Sequence, residues 1–169
     1  QLSVNFDNAI IAIKILNKNT ALVVDENTTI RSVALETFDL NSQLLVNSPH
    51  PQIDTKVIAF SSNAHYFATV TQDMKESKLY DTKQKKVVHT VTRHKGSVFC
   101  VAIDPRDKYM FSCGEDGLVF VIDIKSGQLA FTLPRHTDSV NDIAFSEDGY
   151  FVATGGYDRN VSLFSMATM

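Results

Sequence analysis

The second half of the sequence repeats itself at a fixed interval. The stretch RHKGSVFCVAI at 93–103 has a near copy, RHTDSVNDIAF, at 135–145. The interval between His94 and His136 is 42 residues, and the same shift aligns the copies to the C-terminus without a gap. A constant period of this length restricts the chain to folds assembled from successive equivalent units, each of which buries its surfaces against its neighbours.

Two earlier copies extend the repeat over nearly the whole chain. The copy in 58–81 keeps its marker residues 42 or 43 positions ahead of their counterparts, and the polar stretch 72–78 is a turn that can absorb the extra residue. The copy in 9–36 keeps the order of the apolar runs but few of the markers. We expect a single domain of four units, with approximate bounds 1–40, 41–84, 85–126 and 127–169.

Within a unit, short apolar runs alternate with turn residues. The third unit and its continuation contain SVFCVAI, YMFSCG, LVFVID and QLAFTL, separated by DPRDK, EDG and IKSG. The runs are rich in β-branched and aromatic residues and have no sustained helical period, which predicts strands. Four strands per unit predict an all-β fold of β-propeller blades, each a sheet of four antiparallel strands that must stack on its neighbours around an axis.

The unit resembles the WD repeat. That family has a His before the first strand, Ser or Thr on the second, Asp in the next turn and a Trp-Asp pair ending the third strand. The stretches RH…FSCGEDGLVFVID and RH…VATGGYDRNVSLFS match this order, strongly over 92–169, fairly over 50–91 and weakly over 1–49. The chain has no Trp, and Tyr80, Ile122 and Phe164 take its place. Arginine replaces the expected Gly before His, and the terminal Asp is Ser165 in the last unit.

The repeated His, Ser/Thr and Asp residues suggest either nucleophilic catalysis or a structural network. The resemblance implies hydrogen bonds that tie two loops to each sheet. Catalysis needs one activated nucleophile with an oxyanion site, whereas here the set occurs twice and Ser exchanges with Thr. We therefore favour the structural interpretation. The two sets are His94, Ser112 and Asp116, and His136, Thr154 and Asp158.

The resemblance also implies where a partner binds. WD-repeat proteins use the face built from the loops before the first strands and the turns between the second and third. Phe99 and Tyr157 are the expected anchors, because exposed aromatic side chains dominate interfaces; the alternative is that Phe99 packs between blades. The corresponding positions are Ser97, Phe99 and Glu115 in the third unit, and Ser139, Asn141 and Tyr157 in the fourth.

These features predict a non-catalytic scaffold that binds partner proteins or peptides on its loop face. The alternative is an enzyme or small-ligand propeller with a site in the central channel, where Asn141 and Asp142 are rare polar residues. A net charge of −3 disfavours nucleic acid and anionic membranes as partners. The histidines lack metal-ligand spacing, so we expect neither metal nor cofactor. The basic run DTKQKKVV is interpreted as a solvated turn, with an acidic partner's docking site as the alternative.

Cysteine content and unit number add two further expectations. Cys100 and Cys113 lie in different apolar runs and are predicted to be buried free thiols. They do not define a compartment; a cytoplasmic location is slightly favoured over a periplasmic one reached after loss of a signal peptide. The resemblance implies rings of seven or eight blades, so four units predict either a fragment, a four-bladed ring or a homodimer. In the homodimer, two copies form an eight-bladed ring and residues 1–6 of each complete the other's last blade.

Overall fold

The computed structural model describes residues 8–25, 29–34, 39–45, 58–71 and 73–168. Within these ranges the structure is β-strand and turn, with one short 3-10 helix at Met166–Thr168. In the same ranges no helix has the length and apolar character needed to cross a bilayer. The prediction of an all-β fold is confirmed.

The strands form four antiparallel sheets in which each strand pairs with the next along the chain. The first sheet contains β1 (Ile10–Asn17), β2 (Thr20–Asp25), β3 (Thr29–Ala34) and β4 (Asp39–Leu45). The second contains β5 (Ile58–Phe60), β6 (Tyr66–Val70), β7 (Ser77–Asp81) and β8 (Lys86–Val91). The third contains β9 (Val98–Ile103), β10 (Tyr109–Gly114), β11 (Val119–Asp123) and β12 (Leu129–Leu133). The fourth contains β13 (Val140–Phe145), β14 (Phe151–Gly156) and β15 (Val161–Ser165).

The sheets and the sequence units are offset by one strand. β8 begins the third sequence unit, yet it pairs with β7, as in the register Ser77 to Val91. The third sheet therefore runs from β9 to β12, and its last strand begins the fourth unit. The fourth sheet has three strands among the described residues. Residues 1–6, which we expect to complete the last blade of a second copy, lie outside the described residues.

Neighbouring sheets pack face to face in chain order, because alternate residues of each strand point to opposite faces. Leu22 and Val24 of the first sheet meet Phe67 and Tyr80 of the second. β9 contacts β5 and β6 on one side and β13 on the other, so the first strands of the last three sheets converge. These are the blades of a partial propeller. The core between the second and third sheets includes Val70, Leu79, Val101, Met110 and Ile122, and that between the third and fourth includes Phe111, Val119, Val121, Val140 and Val152.

The positions that lack the family's Trp are filled by other apolar side chains. Tyr80 is buried and stacks on Phe67, with ring centroids 4.6 Å apart and planes 5° from parallel. Ile122 is fully buried in the core between the second and third sheets, and Phe164 packs at the edge of the next core. Burial of apolar area, rather than indole itself, is what these positions provide.

The turns between the first and second strands also connect neighbouring sheets. The Asp107 carboxylate accepts hydrogen bonds from the backbone N–H groups of Ser62 at 2.6 Å and Asn63 at 3.3 Å. Arg106 Nη2 donates to the carbonyl oxygen of Gly149 at 2.7 Å. Each bond joins one sheet to the next, so the turns limit how far neighbouring sheets can rotate apart.

Candidate functional site

A buried hydrogen-bond network joins two loops to the third sheet. His94 Nδ1 lies 3.0 Å from Asp116 Oδ1, and Nε2 lies 2.9 Å from Ser112 Oγ. Because a carboxylate only accepts hydrogen bonds, Nδ1 carries a hydrogen, and the Ser112 hydroxyl is the hydrogen-bond partner of Nε2. The Asp116 carboxylate also accepts from the backbone N–H groups of Lys95 at 3.0 Å and Leu118 at 3.2 Å. The loop before β9 and the turn after β10 are thereby fixed to the strand.

The fourth sheet repeats this network. His136 Nδ1 lies 2.9 Å from Asp158 Oδ2, and Nε2 lies 2.9 Å from Thr154 Oγ1. Asp158 accepts from the backbone N–H groups of Thr137 at 3.2 Å and Asn160 at 3.0 Å. The structure thus brings the six predicted network residues together as two sets with the same geometry.

Both aspartates are held in their ionised form. The hydrogen bond with His136 is the main cause that lowers the pKa of Asp158 below its usual value. Burial by itself raises the pKa of Asp116. The hydrogen bonds from His94 and from the backbone N–H groups outweigh this effect, so the pKa of Asp116 is lower than usual. A carboxylate that accepts several hydrogen bonds favours its charged form.

The hydroxyls of the networks are closed to solvent. Ser112 is 0% exposed and Thr154 is 1% exposed. A substrate carbonyl has no path to either oxygen without opening the sheet. The arrangement satisfies buried polar groups and does not present a nucleophile.

Four of the six predicted partner-binding residues lie on loops that form one face of the sheets, whereas Phe99 and Asn141 lie at the starts of β9 and β13. This loop face consists of residues 94–97, 115–118, 136–139 and 157–160. Glu115 N–H donates to Ser97 O at 2.8 Å, and its carboxylate accepts from Ser97 N–H at 2.9 Å. In the next sheet, Tyr157 N–H donates to Ser139 O at 2.9 Å. Ser139 Oγ lies 3.4 Å from Glu115 O, which links the two sheets across this face.

The six predicted partner-binding residues differ in exposure. Tyr157 is 67% exposed and Glu115 is also exposed, so both side chains are open to a partner. Ser97, Phe99 and Asn141 are half-buried, and Ser139 is buried. Of the two expected anchors, Tyr157 is the side chain that the structure leaves accessible.

Two glycines allow the turns of this face to lie close to the preceding loops. A Cβ atom on Gly114 would overlap the carbonyl oxygen of Ser97, and one on Gly156 would overlap that of Ser139. The same oxygens accept the hydrogen bonds from Glu115 and Tyr157. The sequence analysis did not identify this requirement, although the recurring glycine at the end of the second strand is its signal.

A further hydrogen bond on this face connects the second and third sheets, and the sequence did not predict it. Val98 N–H donates to the carbonyl oxygen of Met74 at 2.6 Å, joining the turn after β6 to the start of β9. Asp73, the counterpart of Asp116 in the second sheet, accepts from Thr71 Oγ1 at 2.7 Å and from Lys75 N–H at 3.1 Å. The chain of contacts therefore crosses the second, third and fourth sheets.

The cysteines lie opposite each other on β9 and β10. Cys100 and Cys113 are register partners, and both are buried thiols that form no disulfide, as predicted. The contact with the Cys100 thiol, and then burial, raise the pKa of the Cys113 thiol above its usual range. Among the residues described here, no cluster of three His, Cys, Asp or Glu side chains is placed to hold a metal ion.

The geometry agrees with comparisons with known proteins. The family model described as "WD domain, G-beta repeat" matches residues 85–123 and 127–165. Angio-associated migratory cell protein of Homo sapiens is 42% identical over 80 residues, covering 47% of this chain and 18% of that protein. Transcription factor unc-37 of Caenorhabditis elegans is 32% identical over 69 residues, covering 41% of this chain and 11% of that protein.

A third relative is similar over a longer stretch. Eukaryotic translation initiation factor 3 subunit I of Vanderwaltozyma polyspora is 28% identical over 100 residues, covering 59% of this chain and 28% of that protein. The chain thus matches less than a third of the length of each of these three relatives. Its two matched repeats coincide with the His, Ser/Thr and Asp networks described above. Through these two repeats, residues 85–165 of the chain are similar to the WD-repeat family.

Proposed function

We propose that this chain is a non-catalytic scaffold that binds partner proteins or peptides on its loop face. The observation that supports this most is the exposed Tyr157 side chain, whose backbone is fixed by hydrogen bonds to Ser139 and by the Asp158 turn. A rigid, exposed aromatic side chain loses little conformational entropy on binding and is a favourable interface anchor. One relative is itself named as a subunit of a translation initiation factor, which agrees with a role in assembly.

The alternative of an enzyme is less well supported. The only hydroxyls paired with histidine in the described residues are those of Ser112 and Thr154, and both are buried. Asp142, the polar residue that we considered for a channel site, is exposed and accepts a hydrogen bond from Ile143 N–H at 3.0 Å. The same carboxylate oxygen lies 3.9 Å from Sγ of Cys100, a buried thiol and therefore a poor proton-transfer partner for a substrate.

The test compares two exposed tyrosines at opposite ends of β14. Immobilised wild-type protein, Tyr157→Ala and Tyr150→Ala are incubated with a cell lysate, and retained proteins are quantified by mass spectrometry. We expect specific proteins to be lost with Tyr157→Ala and kept with Tyr150→Ala, because Tyr150 is 54% exposed but lies on the opposite turn. Equal retention by both variants, or turnover in a hydrolase panel that depends on Ser112 or Thr154, would contradict the proposal.

We also propose that two copies associate through the open face of the fourth sheet. Val161 and Leu163 are 78% and 67% exposed. Their counterparts 42 residues earlier, Val119 and Val121, are fully buried against the fourth sheet. The first sheet exposes Ile13 and Ile15 in the same way. A second copy would cover both apolar faces by the packing already present between the sheets.

A further inference from the structure

The turns at one end of the second and third sheets carry exposed charge of a single sign. They are the turns 61–65 and 82–85 of the second sheet and 104–108 and 124–128 of the third. Because neighbouring strands are antiparallel, all four turns lie at the end of the sheets opposite the loop face. Every exposed charged side chain in these turns, and at the start of β8, is a lysine or an arginine. This surface, the basic turn face, consists of Lys83, Lys85, Lys86, Arg106, Lys108 and Lys125.

The carboxylates at this end of the sheets are acceptors within the turns themselves. Asp81 is 2% exposed and accepts hydrogen bonds from the backbone N–H groups of Lys83 and Gln84, each at 2.8 Å. Asp123 accepts from the N–H group of Ser126 at 2.8 Å. None of the lysines of the basic turn face forms an ion pair with a carboxylate of the described residues. Their ammonium groups are therefore open to a partner.

Contacts between the two sheets hold these lysines on one continuous surface. His89 Nε2 donates to the carbonyl oxygen of Ile124 at 2.9 Å, and Lys125 is the next residue. Lys86 precedes His89 on β8 by roughly 10 Å at the spacing of residues in a strand. The N–H group of Ile124 in turn donates to the carbonyl oxygen of Lys108 at 2.9 Å. The second and third sheets thus present their lysines to the same partner segment.

Two features of the repeat distinguish the lysines of these turns. Lys83 and Lys125 are 42 residues apart, so the same turn position is cationic in both sheets. Lys85 has a φ of +55°, in the left-handed region, whereas its counterpart Gly127 has a φ of +70°. Glycine adopts this conformation without the steric cost that a side chain adds. The second sheet therefore carries a further exposed charge at a position where glycine is the conformationally easier residue.

We propose that the basic turn face binds a flexible acidic segment of a partner protein. Lysine ammonium groups are hydrated point charges on mobile stems, so they suit a run of carboxylates more than one carboxylate in a fixed geometry. A single exposed ion pair adds little affinity, whereas several such pairs together attract and hold an acidic segment. The net charge of −3 opposes a long polyanion such as nucleic acid, which extends beyond the lysines. This inference rests on the proposed scaffold function and assigns a second surface, at the opposite end of the sheets from the loop face.

The test uses a defined probe and two matched double variants. The probe is a fluorescein-labelled decapeptide of alternating Glu and Asp, and binding is followed by fluorescence polarisation at two salt concentrations. We expect saturable binding that salt weakens and that Lys83→Glu with Lys125→Glu weakens by about tenfold or more, since attraction becomes repulsion at two positions. The control is Lys75→Glu with Arg135→Glu. It makes the same change in net charge at exposed positions near the opposite end of the sheets, and the affinity should stay within about threefold of wild type because salt screens distant charges.

A third variant separates binding from folding. Lys85→Gly copies the turn of the third sheet and removes one charge, so we expect the affinity for the probe to fall about two- to threefold while the unfolding midpoint does not fall. A decapeptide of alternating Gln and Asn should not bind.

Three outcomes would overturn the proposal. They are equal affinities of the two double variants, binding of the Gln and Asn peptide, and tighter binding of duplex DNA than of the acidic probe at the same salt concentration. Loss of lysate partners with Tyr157→Ala, together with probe binding that Lys83→Glu and Lys125→Glu leave intact, would keep the loop-face function and reject the basic turn face.

Discussion

Nε2 of His94 lies 2.9 Å from Oγ of Ser112, and neither side chain reaches solvent. In an active site, this pair would be a base and its nucleophile. Here it is sealed between the loop and the sheet, and the same pair recurs 42 residues later.

Replacing His94 should destabilise the fold. His94→Ala leaves the Ser112 hydroxyl and part of the Asp116 carboxylate without partners in a buried site, so the free energy of unfolding should fall by about 1–3 kcal/mol. This loss of stability is measured by urea denaturation, with unfolding monitored by circular dichroism. Lys95→Ala, at the exposed neighbouring position, should remain close to wild type. Unchanged stability of His94→Ala together with loss of a hydrolytic activity would support a catalytic role instead.

Stability should decrease in acid because of Asp158. Its pKa in the folded protein lies below the ordinary value of 3.8, so the fold prefers the carboxylate. This contribution is fully present above about pH 4 and is lost as the pH falls toward the folded pKa. Thermal melts between pH 2 and pH 7 should show a decline below about pH 4. Asp158→Asn should be less stable at pH 7 and should decline less steeply, whereas Glu147→Gln should follow wild type.

The glycine at the end of β10 should not tolerate a side chain. In Gly114→Ala, the new Cβ overlaps the Ser97 carbonyl oxygen, and relieving the overlap moves the backbone that Glu115 bonds to. We expect a loss of about 1–3 kcal/mol in the free energy of unfolding. Gly155→Ala is the matched control, because no atom lies within 4 Å of its Cβ position. Similar denaturation midpoints for both variants would show that the Ser97 approach is not limiting.

Polar substitution should distinguish an open sheet face from a covered one. Leu163→Asn should leave the unfolding midpoint nearly unchanged and weaken self-association in sedimentation equilibrium, because Leu163 is exposed in one copy. Val121→Asn, the counterpart in the third sheet, buries an unpaired amide and should cost about 2 kcal/mol or more. A wild-type chain that stays monomeric at high concentration would refute the proposed association.

The two thiols should be unreactive in the native state. Cys100 and Cys113 are buried, and the raised pKa of Cys113 disfavours the thiolate that attacks a disulfide reagent. With 5,5′-dithiobis(2-nitrobenzoate), we expect both to react slowly in buffer and rapidly in urea. A thiol that reacts at the unfolded rate in buffer would contradict this burial.

The repeat made the sheets predictable because the marker residues of each unit are hydrogen-bond partners of one another. His94, Ser112 and Asp116 belong to three separate segments, and a constant spacing to His136, Thr154 and Asp158 indicates that those segments meet in the same way twice. Alternation of apolar residues then predicts strands and their two faces. The units with fewer markers were correspondingly harder to interpret, although β1, β2 and β3 do form in the weakest one.

Contacts between different units could not be predicted from the repeat. His89 and Ile124 are 35 residues apart, and Ser139 and Glu115 are 24 apart, with no shared motif. Alternation assigns a residue to a face of its sheet, but the angle between two sheets decides whether a groove opens there. Phe99 illustrates the same limit: the sequence allowed either exposure or packing, and the structure leaves it half-buried.

The one-strand offset between units and sheets affects how such a chain can grow by duplication. A gene segment that encodes one sequence unit carries β8 together with β9 to β11. Its first strand must therefore pair with the sheet of the preceding unit. Every insertion or deletion of a whole period thus leaves internal sheets complete, and each junction is secured by main-chain pairing as well as by side-chain packing. Each copy in such an array therefore depends on the next for the strand that completes its sheet.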